Sequence, residues 1–277
     1  MATSPVVLIT GAASGIGRAT ALEFARRGAT LELVDLDIVA LRAVGAEAQA
    51  GGAGGVTTHE LNVADERQVE AYAKDLSGRG VALDVLVNNA GVLVAAGFLE
   101  TEADDWSWIL GVNLLGVVHV TKQLLPGMLA RGKGHVINVV SASAFWNPPA
   151  LTAYGTSKYA LMGLSEALRE EMRPHGIRVT AVCPGFVSTP IVDHMRLRGS
   201  YARPDMRARA RALAEQSGVT AELVAKAIVR ATERDVAVLP VGRQAWLLSW
   251  SKRLFPRLLA RFVRSASGST RASAEEA

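Results

Sequence analysis

Short apolar segments alternate with longer amphipathic segments along most of this chain, and this alternation constrains the fold more than any other feature. Helical patterns, such as residues 16–27 and 38–50, fill the intervals between apolar runs. The apolar or β-branched runs are residues 6–10, 30–35, 55–63, 81–91, 134–141, 177–185 and 235–240. Strands that are apolar almost throughout indicate a parallel sheet covered on both faces. The sequence therefore predicts an α/β domain of three layers, doubly wound around a mainly parallel sheet of about seven strands.

The composition agrees with one packed domain in a reducing compartment. The chain has 277 residues, of which 49% are hydrophobic and 20% are charged, as is typical of a globular protein. Cys183 is the only cysteine, which excludes an intrachain disulfide and a cysteine-rich metal site. The first residues lack a signal-peptide pattern, and no apolar run approaches the roughly 18 residues of a membrane span. These features predict a cytoplasmic protein without a bound metal.

Three glycines follow the first apolar run directly, in the segment TGAASGIG of residues 10–17. Gly11, Gly15 and Gly17 are spaced G-x-x-x-G-x-G where the first strand should pass into the first helix. Glycines permit a tight turn there and let backbone N–H groups approach a pyrophosphate at the helix N-terminus, whose dipole favours anions. A glycine cluster alone is a weak signal, but this position predicts a dinucleotide-binding loop.

An acidic residue ends the second apolar run, in the segment LVDLD. Asp35 lies 18 residues after Gly17, close to the offset of about 20 residues expected for a carboxylate that binds the adenosine ribose. A carboxylate accepts hydrogen bonds from the ribose diol but repels a 2′-phosphate. Neither Ser14 nor Leu36 offers a positive charge to offset that repulsion. The sequence therefore predicts NAD as the cofactor, with NADP less favoured.

Further short motifs follow in an order that is known from one enzyme family. They are NNAG at residues 88–91, Asn113 in GVNLLG, Ser141 in NVVSAS, YGTSK at residues 154–158 and PGFVST at residues 184–189. With the glycine loop they span residues 10–189, roughly two-thirds of the chain. The sequence resembles the short-chain dehydrogenase/reductase family in its single-domain form. The resemblance implies a Rossmann fold, hydride transfer with NAD(P), and a homodimer or homotetramer.

A tyrosine and a lysine in the segment LTAYGTSKYALMGL are suited to proton transfer. Tyr154 and Lys158 are four residues apart, so they share one face of a helix. We expect the ammonium to stabilise a phenolate and to lower the pKa of Tyr154 from about 10 toward the working pH. Such a phenol can exchange a proton with an alcohol or ketone while hydride moves to or from nicotinamide. Tyr159 points about 100° away around the helix, and we expect it to be a packing or interface residue.

Two serines are candidates for binding the reacting oxygen. Ser141 lies 13 residues before Tyr154, and its hydroxyl can position the substrate oxygen. Ser143 would face the same side of a continuing strand, so the residues alone leave the two serines nearly equal; the resemblance favours Ser141. The resemblance also implies that Asn113 holds a water that links Lys158 to solvent. Without it, Asn113 would be an ordinary packing amide that needs a hydrogen-bond partner.

The resemblance assigns the other cofactor contacts to loops that follow the strands. It places Ala90 and Gly91 beside the adenosine and Val187 and Thr189 at the nicotinamide carboxamide. The complete set of expected cofactor contacts is Gly11, Ser14, Gly15, Ile16, Gly17, Asp35, Asn62, Val63, Asn89, Ala90, Gly91, Tyr154, Lys158, Pro184, Gly185, Val187 and Thr189. Asn62 departs from the family pattern, which more often has aspartate beside the adenine. An amide can still form a hydrogen bond with the adenine edge.

Two segments are expected to enclose the substrate. Residues 190–218 lie where the family carries a substrate lid, and their arginines are typical of a mobile charged lid. Residues 145–153, FWNPPALTA, are expected to line the opposite side of the pocket. Their bulky apolar side chains predict a large hydrophobic alcohol or ketone, such as a steroid-, retinoid- or lipid-like molecule.

The chain continues past the usual family core with a basic amphipathic segment, residues 245–264. From residue 240 onward seven basic residues stand against two acidic ones, so the net charge of +4 comes from the tail and indicates no nucleic-acid surface on the fold. The segment suits either an anionic membrane surface or packing on the domain or a second subunit. We predict a catalytic domain over 1–242, a helical extension over 243–264 and a disordered tail over 265–277.

The leading interpretation is an NAD-dependent oxidoreductase that interconverts a secondary alcohol and a ketone. A second interpretation is an NADPH-preferring carbonyl or 3-oxoacyl reductase. A third, from another class, is a non-catalytic dinucleotide sensor or membrane-associated scaffold with the same fold. The set Ser141, Tyr154 and Lys158 argues against the third, because a sensor has no need of proton chemistry.

Overall fold

A computed structural model describes residues 4–254 of the chain. Its strands are β1 Val6–Thr10, β2 Thr30–Asp35, β3 Gly55–Glu60, β4 Val85–Asn88, β5 Val94–Ala95, β6 Gly134–Val139, β7 Ile177–Pro184, β8 Arg196–Leu197 and β9 Val238–Val241. Seven of them form one sheet in the order β3-β2-β1-β4-β6-β7-β9, and every pairing in it is parallel. The strands β5 and β8 form a separate small pair. The predicted parallel sheet of seven strands is confirmed.

Helices cover both faces of this sheet. They are α1 Gly15–Ala25, α2 Ile38–Ala50, α3 Glu66–Gly78, α4 Ala103–Leu110, α5 Gly116–Arg131, α6 Thr152–Met172, α7 Met206–Gln216, α8 Ala221–Ala231 and α9 Arg243–Leu254. Successive residues of a strand point to opposite faces. In β1, Ile9 packs in the core cluster with α1, α2 and α8, whereas Leu8 packs in the cluster with α3 and α5. Both faces are therefore buried, as the nearly continuous apolar runs predict.

The strand order changes direction at β1: β2 and β3 follow on one side of it, and β4, β6, β7 and β9 on the other. This switch point creates the crevice where such α/β proteins bind ligands. β1 pairs with β2 on one side and with β4 on the other. Because all strands of the sheet are parallel, their carboxyl ends lie along one edge. The loops after β1, β4 and β6 carry the glycine loop, residues 89–91 and Ser141, and the topology brings these loops to the same edge.

Some strand ends differ from the predicted ends. β3 ends at Glu60 rather than at residue 63, because Asp65 already caps α3: its carboxylate accepts hydrogen bonds from the backbone N–H groups of Arg67 and Gln68. β9 begins at Val238 rather than at residue 235. The apolar pattern does not predict the pair β5–β8, because strands of two residues carry no periodicity.

One helical stretch, Ala103–Arg131, is long and apolar enough in composition to cross a bilayer. It joins α4 and α5 through a π-helical turn, Gly111–Leu115. Its most apolar window is 39% buried inside the fold, and the buried side chains of Asn113 and Thr121 form hydrogen bonds to Ser157 and Asn88. We interpret this stretch as a helix packed on the domain, because these hydrogen bonds join it to α6 and β4.

The C-terminal extension begins directly after β9 as α9. Ala245 on this helix is fully buried, whereas several large apolar side chains are exposed, namely those of Trp246, Leu247, Trp250 and Leu254. The rest of the predicted helical extension, residues 255–264, and the predicted disordered tail, residues 265–277, lie outside the described residues. The division of the chain at residue 242 therefore stays a prediction.

Candidate active site

The glycine loop is shaped by contacts that exclude side chains. Gly11 and Gly15 have φ angles of 64° and 51°, in the left-handed region that favours glycine. At Gly17 a Cβ atom would lie 2.0 Å from the carbonyl oxygen of Gly11. The loop therefore folds back on its own start, and each of the three spaced glycines is required by local geometry.

The helix that follows this loop has an open N-terminus. Ser14 is the N-cap residue of α1 and is exposed, and its side chain makes no capping hydrogen bond within residues 4–254. The first turn of α1 contains no acidic residue. The first backbone N–H groups and the positive end of the helix dipole are thus available to an anion. Together with the tight turn between Gly11 and Gly17, this arrangement fits the pyrophosphate of a dinucleotide. Ile16, the second residue of α1, packs against the core beneath it.

Asp35 lies at the carboxyl end of β2 beside the glycine loop. Its carboxylate accepts hydrogen bonds from the backbone N–H of Ala13 at 2.9 Å and from that of Asp37 at 3.1 Å. These two bonds fix the carboxylate next to the loop, and each carboxylate oxygen keeps a further lone pair. The geometry suits acceptance of hydrogen bonds from ribose hydroxyl groups.

Asn62 and Val63, the residues expected beside the adenine, also have contacts within the protein. The side-chain oxygen of Asn62 already accepts a hydrogen bond from the Ala64 N–H at 3.0 Å, in a local turn. The side chain of Val63 is buried and packs against α5, where a Cβ at Gly116 would lie 2.8 Å from it. The amide nitrogen of Asn62 and the second lone pair of its oxygen remain suited to a cofactor, so the contact of Asn62 with adenine stays a prediction.

Thr10 organises the loop after β4, a role that the motif alone does not reveal. Its hydroxyl accepts hydrogen bonds from the N–H groups of Asn89 and Ala90, both at 3.0 Å. The Asn89 amide in turn donates to the carbonyls of Thr10 and Gly11 at 3.0 and 2.9 Å. The side chain of Asn89 therefore ties two loops together, and what this segment can offer a cofactor is the backbone of Ala90 and Gly91.

The loop after β7 closes on the glycine loop. A Cβ at Gly15 would lie 3.1 Å from the side chain of Thr189, so the two segments are in contact. Gly185 donates its N–H to the Val241 carbonyl at 3.0 Å, directly after Pro184 ends the strand. The structure thus brings residues 184–189 and the glycine loop to the same crevice.

Lys158 is a buried ammonium at the centre of the site. It lies one helical turn after Tyr154 on α6, 5.8 Å from the centroid of the tyrosine ring. Its Nζ donates a hydrogen bond to the Val139 carbonyl at 3.0 Å. A Cβ at Gly91 would be 3.7 Å from Nζ, so the ammonium also borders the loop after β4. Burial lowers the pKa of Lys158 from 10.5 to about 8.

The pKa of Tyr154 is shifted in the direction opposite to the one that the sequence predicts. Burial raises the pKa of its phenol above the ordinary value of 10.0, and the Ser141 side chain acts in the opposite direction. The Lys158 ammonium donates its hydrogen bond to the Val139 carbonyl rather than to the phenol oxygen. The pKa of Tyr154 is therefore raised in this structure, whereas the sequence argument expects it to be lowered.

The structure separates the two candidate serines. The chain does not continue as a strand after Ser141 but enters a 3-10 turn, Ala142–Ala144. Ser141 is the N-cap of that turn, and its Oγ accepts a hydrogen bond from the Ser143 N–H at 3.1 Å. Ser141 is also the serine that interacts with Tyr154. The sequence argument that both serines face one side fails, because it assumes a continuing strand.

Asn113 is fully buried in the π-helical turn between α4 and α5. Its amide oxygen accepts from the Val92 N–H at 2.8 Å, and its nitrogen donates to the Val92 carbonyl and the Ser157 hydroxyl, both at 3.0 Å. Ser157 then donates to the Tyr154 carbonyl at 2.7 Å. The amide is satisfied by protein groups and connects the β4 loop to α6; Ser157 is a positioning residue that the motif does not predict.

The predicted lid residues pack against Leu151, which belongs to the segment expected to line the opposite side of the pocket. Their apolar cluster contains Ala95, Val192, Met195, Leu93, Leu151, Ile191, Leu197 and Ala210. The lid is fastened by Asp105, a fully buried carboxylate on α4. It accepts hydrogen bonds from Arg198 at 2.9 and 3.1 Å and from Arg196 at 3.1 Å. The Arg196 guanidinium also stacks 3.9 Å from the Trp108 ring centroid.

The site therefore combines a loop that fits a pyrophosphate, an acidic residue suited to a ribose, and a serine, a tyrosine and a lysine at the carboxyl edge of the sheet. Fold and site together define a nucleotide-dependent oxidoreductase of the Rossmann type. The profile of the family described as short chain dehydrogenase matches residues 5–198. The chain belongs to the short-chain dehydrogenase/reductase family, whose members act with NAD(P) on CH–OH groups.

Known proteins that resemble this chain agree with that placement. The protein named Probable oxidoreductase EphD of Mycobacterium tuberculosis is 35% identical over 94% of the chain; the chain spans 44% of that relative's length. The 3-oxoacyl-[acyl-carrier-protein] reductase FabG of Thermotoga maritima is 38% identical over 69% of the chain and 77% of its own length. A short-chain dehydrogenase/reductase of Burkholderia phymatum, solved in complex with NAD, is 32% identical with a TM-score of 0.76 and covers 86% of this chain and 88% of its own.

Proposed function

We propose that this protein is an NAD-dependent dehydrogenase that interconverts a secondary alcohol and a ketone on a bulky hydrophobic substrate. The observation that carries this proposal is the meeting of Ser141, Tyr154 and Lys158 at the carboxyl edge of the sheet. There Ser141 interacts with Tyr154, and Lys158 borders both the tyrosine ring and the loop of Gly91.

Proton transfer is the part of the reaction assigned to this chain's own side chains. Bound nicotinamide would supply the hydride acceptor or donor. The Ser141 hydroxyl positions the substrate oxygen, and the Tyr154 phenol takes its proton in oxidation or returns it in reduction. The Lys158 ammonium, one helical turn from Tyr154, acts against the effect of burial by favouring the phenolate that oxidation requires, and it binds the nicotinamide ribose. Asn113 keeps the proton route to solvent in place through Val92 and Ser157.

The choice of NAD rests on Asp35. Its carboxylate is held at the end of β2 by the N–H groups of Ala13 and Asp37. A fixed negative charge at this point repels a 2′-phosphate and accepts hydrogen bonds from a 2′-hydroxyl. We therefore assign NAD as the preferred cofactor. Cofactor contacts are assigned to Gly11, Ser14, Gly15, Ile16 and Gly17, and to the loops containing Asn62 and Val63, Asn89 to Gly91, and Pro184 to Thr189.

The hydrophobic substrate is inferred from the walls of the pocket. The half-buried side chains of Leu93, Leu151, Ile191 and Leu197 bring apolar surface together from the loop after β4, residues 145–153 and the lid. Such a wall favours a steroid-, retinoid- or lipid-like alcohol, because its binding removes apolar area from water. An acyl-chain ketone would fit the same wall, and the likeness to a 3-oxoacyl reductase favours a second candidate function, reduction of 3-oxoacyl groups with NADPH.

The partners of the protein include a second copy of the chain and, through α9, an anionic membrane surface. We propose a homodimer or homotetramer, as is common in this family, in the cytoplasm. On α9 the face that turns away from Ala245 exposes Trp246, Leu247 and Trp250. No acidic residue occurs between residues 236 and 274, so two facing copies of this segment would oppose only positive charges. An anionic lipid surface matches the helix better.

The proposal is tested by replacing Tyr154 with phenylalanine. We expect Tyr154→Phe to reduce oxidation of hydrophobic secondary alcohols, followed by NADH absorbance, by at least about a thousandfold. NADH binding, followed by fluorescence titration, should stay within about threefold of wild type. Near-normal turnover in Tyr154→Phe would refute the catalytic assignment.

A matched control makes the same chemical change away from the crevice. Tyr72 on α3 is buried beside Glu32, and its hydroxyl lies 3.4 Å from that carboxylate. Tyr72→Phe therefore removes a buried phenol hydroxyl without touching the proposed proton-transfer groups. We expect this variant to keep the turnover of wild type, so that the loss in Tyr154→Phe reports the position of the phenol rather than the substitution itself.

A further inference from the structure

The C-terminal helix α9 reaches the loop that carries Ser141. The Lys252 ammonium on α9 donates a hydrogen bond to the Ala144 carbonyl at 3.0 Å, although the two residues are 108 positions apart in sequence. The same ammonium lies 3.9 Å from the centroid of the Tyr159 ring. Lys252 therefore connects three segments of the fold at one point, the C-terminal helix, the 3-10 turn after β6 and the helix of the proposed catalytic tyrosine.

Tyr159 holds the next carbonyl of the same loop. Its hydroxyl donates a hydrogen bond to the Phe145 carbonyl at 3.0 Å. Two consecutive carbonyl groups, those of Ala144 and Phe145, are thus bound by side chains from α9 and α6. Because Tyr159 directly follows Lys158 on a rigid helix, it ties the loop to the frame that carries the proposed catalytic pair.

The held loop fixes the orientation of Ser141. The turn is closed by hydrogen bonds from the Ala144 N–H to the Ser141 carbonyl at 3.0 Å and from the Phe145 N–H to the Ala142 carbonyl at 2.8 Å. Ser141 Oγ accepts from the Ser143 N–H within the same turn. A movement of the Ala144 or Phe145 carbonyl would therefore displace the Ser141 hydroxyl relative to Tyr154.

We propose that Lys252 and Tyr159 form a brace that positions Ser141, and that α9 is consequently a working part of the active site rather than an appendage. The inference rests on the proposed function for its kinetic consequence. Both are positioning residues: they act on the reacting groups through the loop of residues 141–145. The brace also sets Phe145 and Trp146, which follow in the segment expected to line the substrate pocket.

The kinetic test measures Lys252→Met, with Lys252→Arg as the conservative variant. The control is Gln244→Met, which replaces an exposed polar residue on the same helix. Loss of the brace should lower kcat about tenfold, because small displacements of a positioning group reduce the rate strongly, while KM for NAD stays unchanged. Arginine retains a donor and stacks on an aromatic ring, so Lys252→Arg should recover most of the activity. A value of kcat for Lys252→Met within about twofold of wild type would overturn the brace.

A second measurement does not depend on activity. Hydrogen exchange of a peptide covering residues 141–147 should be about tenfold faster in Lys252→Met than in wild type, because its amides are protected by the turn. A peptide from β2 should not change, and neither should Gln244→Met. Unchanged exchange at 141–147 would refute the brace. A wild-type protein without dehydrogenase activity but with the predicted exchange difference would refute the proposed function and leave the brace supported.

Discussion

The Lys158 ammonium donates its hydrogen bond to the Val139 carbonyl rather than to a carboxylate, and it lies 5.8 Å from the ring centre of Tyr154. Within residues 4–254 no carboxylate forms an ion pair with Lys158, and a buried cation without such a partner is energetically costly. Burial accordingly lowers the pKa of Lys158 to about 8. The site therefore keeps a charge near the proposed proton-transfer group at the expense of folding stability.

The cost of this buried ammonium predicts an unusual pH dependence. The folded protein binds fewer protons at Lys158 than the unfolded chain between about pH 8 and 10.5, so Lys158 opposes folding below pH 8 and ceases to do so above 10.5. Lys158→Met should raise the free energy of unfolding at pH 7 by about 1–2 kcal/mol, after loss of the hydrogen bond. The gain should shrink toward pH 10.5 in urea titrations, and turnover should be lost. A methionine variant less stable than wild type at pH 7 would contradict this account.

Replacing each serine of the turn distinguishes the two candidates. Ser141→Ala should lower kcat by about 100- to 1,000-fold, the effect of removing one donor to the reacting oxygen. Ser143→Ala should change kcat less than about threefold, because its contribution to the turn is a backbone N–H that alanine retains. Thermal unfolding of both variants controls for loss of the cap, which costs about 1 kcal/mol. Equal losses of kcat in the two variants would refute the assignment of Ser141 as the serine that positions the reacting oxygen.

Cofactor choice is tested at Asp35. Asp35→Ala should reduce the ratio of kcat/KM for NADH to that for NADPH by about 10- to 100-fold, because it removes a charge that repels the 2′-phosphate. The hydrogen bond from the Ala13 N–H is lost as well, so Asp35→Asn serves as a control that keeps an acceptor without the charge. If wild-type enzyme prefers NADPH, the assignment of NAD is wrong.

The fastening of the lid is tested at Asp105. Arg198 first, then Arg196, holds the pKa of Asp105 below its ordinary 3.8, so its contribution to stability is present above that pH and is lost as pH falls through the lowered pKa. Asp105→Asn should destabilise the fold by about 1–3 kcal/mol, less than for a fully buried pair because both arginines are 37% exposed. KM for a hydrophobic substrate should rise about fivefold, with KM for NAD unchanged. The control Asp104→Asn, at the exposed neighbouring position, should change neither the stability of the fold nor KM for the substrate.

Local patterns account for most of what the sequence predicts correctly. The glycine loop and the pair Tyr154–Lys158 are recognised by spacings of a few residues. The parallel strands are recognised because a strand buried on both faces is apolar at nearly every position. These features suffice for the confirmed fold and family. They also locate the loops that meet at the carboxyl edge, because strand order places those loops together.

Contacts between distant segments account for what the sequence does not predict. The bond between Arg198 and Asp105 joins residues 93 positions apart, and that between Lys252 and Ala144 joins residues 108 apart. No periodicity connects such pairs. The hydrogen bond between the Ala64 N–H and the Asn62 oxygen, which forms a local turn, is likewise not indicated by the motif. The direction of the Tyr154 pKa depends on burial, which spacing on a helix does not determine.

The exposed face of α9 makes a prediction about lipid surfaces. Trp246 and Trp250 are 49% and 54% exposed and lie one turn apart, on the face that turns away from the buried Ala245. Indole rings at this spacing can enter the interface of a bilayer while nearby basic residues meet anionic headgroups. Full-length protein should sediment with vesicles that contain phosphatidylserine more than with vesicles of phosphatidylcholine alone. The double variant Trp246→Gln, Trp250→Gln should reduce that binding at least about fivefold, and Gln244→Ala should not. Lys252 remains in place in the double variant, so kcat should not change. Loss of vesicle binding with unchanged kcat would show that the outer face of α9 binds lipid independently of the brace at Lys252. Equal binding of the double variant and wild type would reject the membrane surface.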